Sequence, residues 1–184
     1  MKKALITGAS SGIGFEYARY LNRNGWSLDL VSYSEERSKK AREFFQDNNN
    51  NYYHLDLTKK KSILELLEKI DCPDLVVANA GITMMSKAGE SSSLQRDELY
   101  YLLYGGVIDL IEGLVPSLKE KDSSRVVIIS SIGAITPMPK SSLYASAKSG
   151  IYSYGRSIGQ ELANNNVSVT ISLPGYVKKM LIKE

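Results

Sequence analysis

Short apolar runs alternate with longer stretches of helical periodicity along nearly the whole chain, and this alternation constrains the fold more than any other feature. Ala4-Leu5-Ile6, Leu28-Asp29-Leu30-Val31, Tyr52 to Leu55, Leu75-Val76-Val77-Ala78, Arg125 to Ser130 and Val167 to Leu173 read as six strands. Helices are expected between them over 13–23, 35–46, 60–70, 95–119 and 143–163. On the first, Ile13, Tyr17 and Tyr20 or Leu21 share a face; on the long fourth, Leu99, Leu102, Leu103, Leu110, Ile111 and Leu114 form an apolar stripe. Gly105-Gly106 interrupts that stripe, either as a weak point or as a place where another backbone packs close. Pro137 and Pro139 argue against regular structure over 132–142. The asparagine runs 48–51 and 164–166 read as solvated turns. Strands alternating with helices require parallel pairing and right-handed crossovers. The expected fold is therefore α/β, a doubly wound parallel sheet in the order 3-2-1-4-5-6 with helices on both faces. A length of 184 residues suits one such domain, spanning 1–184.

Composition removes several alternatives. With 43% hydrophobic and 23% charged residues the chain is ordinary globular material. A net charge of +3 gives no electrostatic case for a nucleic-acid partner. The single cysteine, Cys72, supports neither an internal disulfide nor a Cys-rich metal site, and no metal is expected. Apolar runs such as Val126 to Ile129 are too short to cross a bilayer, and Gly8 breaks the first one too early for a signal peptide. A soluble, cytoplasmic protein without a membrane partner is the expectation. His54, the only histidine, and Trp26 read as structural residues, and Lys59-Lys60-Lys61 as solvated surface.

The chemistry sits where strands end. Thr7-Gly8-Ala9-Ser10-Ser11-Gly12-Ile13-Gly14 lies between the first strand and the first helix. Glycines there allow a tight turn and close approach of a pyrophosphate, while the helix N-terminus offers free N–H groups. The spacing is G-x-x-x-G-x-G, not the common G-x-G-x-x-G. Asp56 ends the third strand and Asn79-Ala80-Gly81 the fourth, beside the switch point where such sheets bind ligands. Ser131 follows the fifth strand. Tyr144 and Lys148, four residues apart, share one face of the following helix. A free phenol titrates near pH ~10, and a neighbouring ammonium favours its phenolate, which fits it for acid–base work. Taken singly, Asn79-Ala80-Gly81 reads as a tight turn and Tyr144-x-x-x-Lys148 as an incidental helix-surface pair, while the Gly-rich turn gains its meaning from the strand and helix around it.

Together, Thr7-Gly8-x-x-x-Gly12-x-Gly14, Asp56, Asn79-Ala80-Gly81, Ser131, Tyr144-x-x-x-Lys148 and Pro174-Gly175 resemble the short-chain dehydrogenase/reductase family in order and spacing, from residue 2 to about 177. The resemblance implies a Rossmann-like fold and an NAD(P)-dependent oxidoreductase acting on a small carbonyl or alcohol. It implies that Gly8, Ser10, Ser11, Gly12, Ile13 and Gly14 hold the pyrophosphate and adenosine ribose, that Asp56 and Leu57 flank the adenine, and that Asn79, Ala80 and Gly81 line the nicotinamide side. Tyr144 would be the proton donor or acceptor, Lys148 would bind the nicotinamide ribose and tune Tyr144, and Ser131 would orient the substrate oxygen. Pro174, Gly175 and Val177 would contact the nicotinamide. A homodimer or homotetramer, packed through the helices near 95–119 and 143–163, is also implied.

Three departures from the family pattern matter. The asparagine usual in the long helix is replaced by Leu103, or by Leu102 if the alignment slides by one, so Lys148 loses a partner in the proton relay. After Pro174-Gly175 only nine residues follow, without the family's substrate-covering helices and seventh strand, and Lys179 stands where threonine is usual. Poor exclusion of water and an open edge on the sixth strand are expected, unless a partner covers them. At the end of the second strand Tyr33 and Ser34 stand where an acidic residue would select NAD, which leans to NADP over NAD; Arg37 and Lys39 nearby read equally as a solvated helix face. Leu103 and the short C-terminus also keep open an alternative function, a catalytically weak or inactive nucleotide-binding or assembly protein.

Overall fold

The computed structural model describes residues 1–45 and 49–177. Its strands are β1 (Lys3–Thr7), β2 (Ser27–Ser32), β3 (Asn51–His54), β4 (Leu75–Ala78), β5 (Ser124–Ile129) and β6 (Val167–Ser172). All pair in parallel, in the order β3-β2-β1-β4-β5-β6. The helices are α1 (Gly12–Arg23), α2 (Glu35–Phe44), α3 (Lys60–Lys69), α4 (Ser93–Tyr100), α5 (Gly106–Lys119) and α6 (Ser142–Glu161).

Alternation along the strands splits the core into two layers. Ala4 and Ile6 of β1, with Leu28 and Leu30 of β2, face α1 and α2 through Phe15, Ala18, Leu21 and Ala41. Leu5, Val31 and Val76 point the other way, against Ile63, Leu66, Ile111, Leu118 and Ile151 of the opposite helices. Strands buried on both faces must be apolar throughout, which is why β1 and β4 read as unbroken apolar runs. Each fully buried large aliphatic contributes about 2 kcal/mol by area.

Element ends differ from the sequence reading by one or two residues, and four differences carry physical content. The buried face of α1 is Gly14, Phe15, Ala18 and Leu21; Tyr20 is 68% exposed, and Ile13 faces the cleft described below. Of the asparagines at 49–51, Asn49 is the exposed turn residue expected, whereas Asn50 is buried and Asn51 opens β3. Asn50 is buried and accepts from the Leu28 amide (3.0 Å), Asn49 O accepts from Ser27 Oγ, and Asn51 Nδ2 donates to Asp29 (2.8 Å), so they stitch β3 to β2. Asn48 lies outside the described residues, as do Lys178 and Lys179. The long fourth helix is two helices joined by a π-helical turn, Tyr101–Gly105. The loop after β5 contains a 3-10 turn, Ile132–Ala134.

The helical stretch Ser93–Lys119 has the length and average apolarity of a membrane span, but Leu99, Leu103, Leu110, Ile111, Leu114 and Leu118 are buried within the fold. The lysines at 59–61 are exposed but paired, Lys59 with Glu98 (2.9 Å), Lys60 with Asp109 (3.5 Å) and Lys61 with Glu65 (3.8 Å). Asp29, fully buried in β2, is compensated by Lys3 Nζ at 3.3 Å and by Asn51.

Candidate active site

At the carboxyl ends of β1, β2, β3 and β4 the chain leaves a cleft of about 570 Å³. Its floor is the turn after β1. Gly8 has φ +68°, a left-handed conformation favouring glycine, and a methyl there would lie 2.8 Å from Asn79 Nδ2 and 2.9 Å from Ala80 Cα. Asn79 holds the two central strand ends together: its Nδ2 donates to Thr7 O (3.0 Å) and Gly8 O (3.2 Å). Thr7 Oγ1 accepts from the amides of Asn79 and Ala80, both at 3.0 Å. Ser11, at the N-cap of α1, makes no side-chain cap, and the first turn carries no acidic residue. The leading N–H groups and the positive end of the helix dipole are thus left for an anion. Space beyond Gly12 is open. These residues form a cradle that fits a dinucleotide pyrophosphate.

The outer wall of the cleft is the end of β2. Ser34 caps α2 by accepting from the Arg37 amide, and Tyr33, Ser34 and Arg37 all line the cleft. His54 ends β3 with Nε2 2.6 Å from Tyr33 O, fixing the rim. Asp56 Oδ1 accepts from the amide (3.0 Å) and hydroxyl (2.7 Å) of Thr58, which shapes the turn into α3.

The second group lies beyond β5. Lys148 is only 5% exposed; its ammonium donates to Ile129 O at 2.7 Å and stands 5.9 Å from the centre of the Tyr144 ring. Burial alone pulls its pKa down to about 8. The helix is pinned to the strand end by Ser130 Oγ, which donates to Lys148 O (2.8 Å), and by Ser149 Oγ, which donates to Ala134 O (2.7 Å). Ser131 is buried, and its Oγ accepts from the Gly133 amide at 3.1 Å, leaving its own proton to give. The two groups meet at Gly81, which lines the cleft: a methyl there would lie 3.9 Å from Lys148 Nζ and 3.0 Å from Leu103 Cδ2.

Residues 2–184 match the sequence profile of short chain dehydrogenases. The chain belongs to the short-chain dehydrogenase family. An uncharacterized oxidoreductase of Staphylococcus saprophyticus is 30% identical over 183 residues, 96% of this chain and 78% of that protein. The 3-oxoacyl-(acyl-carrier-protein) reductase FabG of Rickettsia prowazekii is 29% identical over 180 residues, 96% of this chain and 73% of that protein. An alcohol dehydrogenase from the archaeon Thermococcus sibiricus, complexed with 5-hydroxy-NADP, superimposes with TM-score 0.84 at 30% identity, over 96% of this chain and 77% of that one.

In this family member Gly8, Ser10, Ser11, Ile13, Tyr33, Ser34, Asp56, Leu57, Asn79, Ala80 and Gly81 all line the cleft. Gly12 and Gly14 belong to the turn without lining it, and Ser131, Tyr144 and Lys148 lie outside it. Pro174, Gly175 and Val177 follow β6; Pro174 O accepts from the Ile132 amide at 3.0 Å, joining this segment to the Ser131 turn. The sequence reading missed Ser32, Leu55, Thr58, Ile82, Glu98 and Leu102 in the cleft wall. Leu55, Thr58 and Ile82 adjoin recognised strand ends, so a window one residue wider would have found them. Glu98 and Leu102 come from a helix whose register only the fold supplies. Leu103 is 1% exposed and packs with Leu99, Ala147 and Tyr144. No group of three or more His, Cys, Asp or Glu is placed to hold a metal ion among the described residues.

Proposed function

We propose that this chain transfers a hydride between a nicotinamide dinucleotide and a small carbonyl or alcohol, with Tyr144 as general acid and base. The observation that carries the reading is the Lys148 ammonium, buried beside the Tyr144 ring and next to Gly81 at the edge of the dinucleotide cleft. The nicotinamide, when bound, supplies or accepts the hydride. Ser131 donates a hydrogen bond from its hydroxyl to the substrate oxygen and keeps its proton. Tyr144 gives that oxygen a proton in reduction and takes one in oxidation, and the Lys148 charge stabilises the phenolate left behind. One of the three Lys148 donors is engaged by Ile129 O, which leaves the others for ribose hydroxyls.

The absence of a carboxylate at position 33, with Ser34 and Arg37 in the cleft wall, favours NADP over NAD. The protein acts in the cytoplasm as a homodimer or homotetramer packed through the helical stretches near 95–119, which span α4 and α5, and 143–163, in α6. A second reading, a catalytically weak or silent nucleotide-binding or assembly protein, draws on Leu103, which puts an apolar side chain where a polar relay partner would stand beside Gly81.

The test is Tyr144→Phe. We expect calorimetric titration with NADPH to give an affinity within about twofold of the parent, tighter than for NADH, while carbonyl-dependent NADPH oxidation falls by at least about 100-fold. Turnover surviving that substitution rejects Tyr144 as the proton donor. Robust NADPH oxidation by the parent chain with any carbonyl rejects the silent reading.

A further inference from the structure

We infer that the carbonyl substrate is uncharged and largely apolar, and that it is received on a wall formed by Met84, Ile132, Ile135 and Met138. The inference rests on the activity proposed above and names the substrate class of that site.

Three strand-end segments surround Ser131 and Tyr144: 82–86 after β4, 132–139 after β5 and 173–177 after β6. None contains a charged residue. They are joined at their margins: the Ser86 amide donates to the carbonyl of Lys140, the charged residue that follows 132–139, at 2.8 Å, and the Ile132 amide donates to Pro174 O at 3.0 Å. Met84 and Tyr144 both pack against the cluster of Leu99, Leu103 and Ala147. Met138 lies over Gly133, where its sulfur occupies the place a methyl would take, and the same methyl position is 3.4 Å from Ser131 Oγ. Ile132 and Ile135 remain 40% and 57% exposed beside that turn. Ile82 is 52% exposed and also lines the dinucleotide cleft, so the apolar surface runs into it.

Among the described residues Lys148 and Lys87 are engaged elsewhere, and Lys140 is exposed. Lys148 has its ammonium on Ile129 O and faces Gly81, and Lys87 pairs with Glu90 at 3.7 Å. Lys140 closes the far end of its segment in a left-handed turn, φ 64°. A carboxylate or phosphate set against this wall would lose water and meet thioether and methyl groups in exchange. Methionines, being unbranched and polarizable, adapt to apolar partners of different shape. Polar recognition is then confined to the Ser131 and Tyr144 hydroxyls, which suit the carbonyl oxygen itself.

The experiment uses the purified chain with NADPH and compares kcat/KM for 2-alkanones from 2-butanone to 2-octanone with 7-oxooctanoate, in which a carboxylate replaces the terminal methyl of 2-octanone. We expect kcat/KM to rise about three- to fourfold per added methylene. It should fall by at least about tenfold when the carboxylate is added. Met138→Lys, at a partly exposed position, should narrow the gap between 2-octanone and 7-oxooctanoate by about tenfold, with NADPH affinity unchanged as the measure of intact folding. Turnover of the oxo acid equal to or faster than 2-octanone overturns the inference and leaves the hydride-transfer reading standing. A gap untouched by Met138→Lys removes Met138 from the wall and overturns the inference as stated. NADPH binding without turnover of any carbonyl overturns both.

Discussion

At Lys148 an ammonium is buried to 5% exposure, donates to one carbonyl oxygen and stands over the Tyr144 ring, with no carboxylate partner among the described residues. Its pKa falls to about 8 in the folded chain, while the unfolded chain keeps the ordinary value of 10.5. Between those two values the unfolded state holds a proton that the folded state has lost, so the unfolding free energy rises with pH. The gain across the window is up to about 3 kcal/mol. Below pH 8 both states are protonated and the burial penalty stands in full. Lys148→Met removes this titration. The difference in urea unfolding free energy between parent and Lys148→Met should be level from about pH 6 to 8 and climb from about pH 8 to 10.5. A level difference throughout would mean the ammonium is better solvated than its surroundings imply. The pairing of Tyr144 with Lys148 was legible because helical spacing of four residues is local. The Asp29 and Asn51 contact was not, since its partners are 22 residues apart and meet only when β3 joins β2.

Among the elements, the stretch from Ser93 to Lys119 shows where a sequence pattern is silent. Apolar residues at 99, 103, 110, 111 and 114 fit one continuous helix, and they fit equally a helix widened by one π-helical turn at Tyr101–Gly105. The glycine pair marked the place without giving the geometry. A methyl at Gly106 would lie 3.0 Å from Tyr101 O and 3.4 Å from Leu57 O, so the glycine lets the helix pass close over the chain leaving β3. The widened turn is where Leu103 becomes fully buried while Leu102 lines the dinucleotide cleft. Leu103 therefore joins α4 and α6 in a small cluster with Leu99 and Ala147. Leu103→Ala should cost about 2–4 kcal/mol in denaturant unfolding, because the cavity lies between two helices that are fixed elsewhere. A cost below about 1 kcal/mol would mean that α4 can settle into the gap.

For the molecule as a whole, the sheet order was legible because strands buried on both faces leave few topologies once crossovers are right-handed. The placement of the cleft followed from the same rule, since β1 and β4 diverge at the switch point. The width of the cleft did not follow, because Ser32, Glu98 and Leu102 reach it from elements whose rotation depends on packing. The cleft draws its walls from both sides of that switch point: Gly8 and Tyr33 from β1 and β2, Asn79 and Gly81 from β4. Unfolding separates these strands and destroys the site, so a dinucleotide bound there stabilises only the folded chain. At NADPH roughly 100-fold above its dissociation constant the stabilisation is about 2.7 kcal/mol. For a chain of this size that corresponds to a rise in Tm of roughly 5–10 °C in a thermal scan. Asn79→Ala deletes the two side-chain bonds that hold the turn after β1 to the end of β4. It should lower the Tm of the free protein and also shrink the rise at fixed NADPH, because the cradle is no longer set before the ligand arrives. An undiminished rise would place the dinucleotide away from this junction.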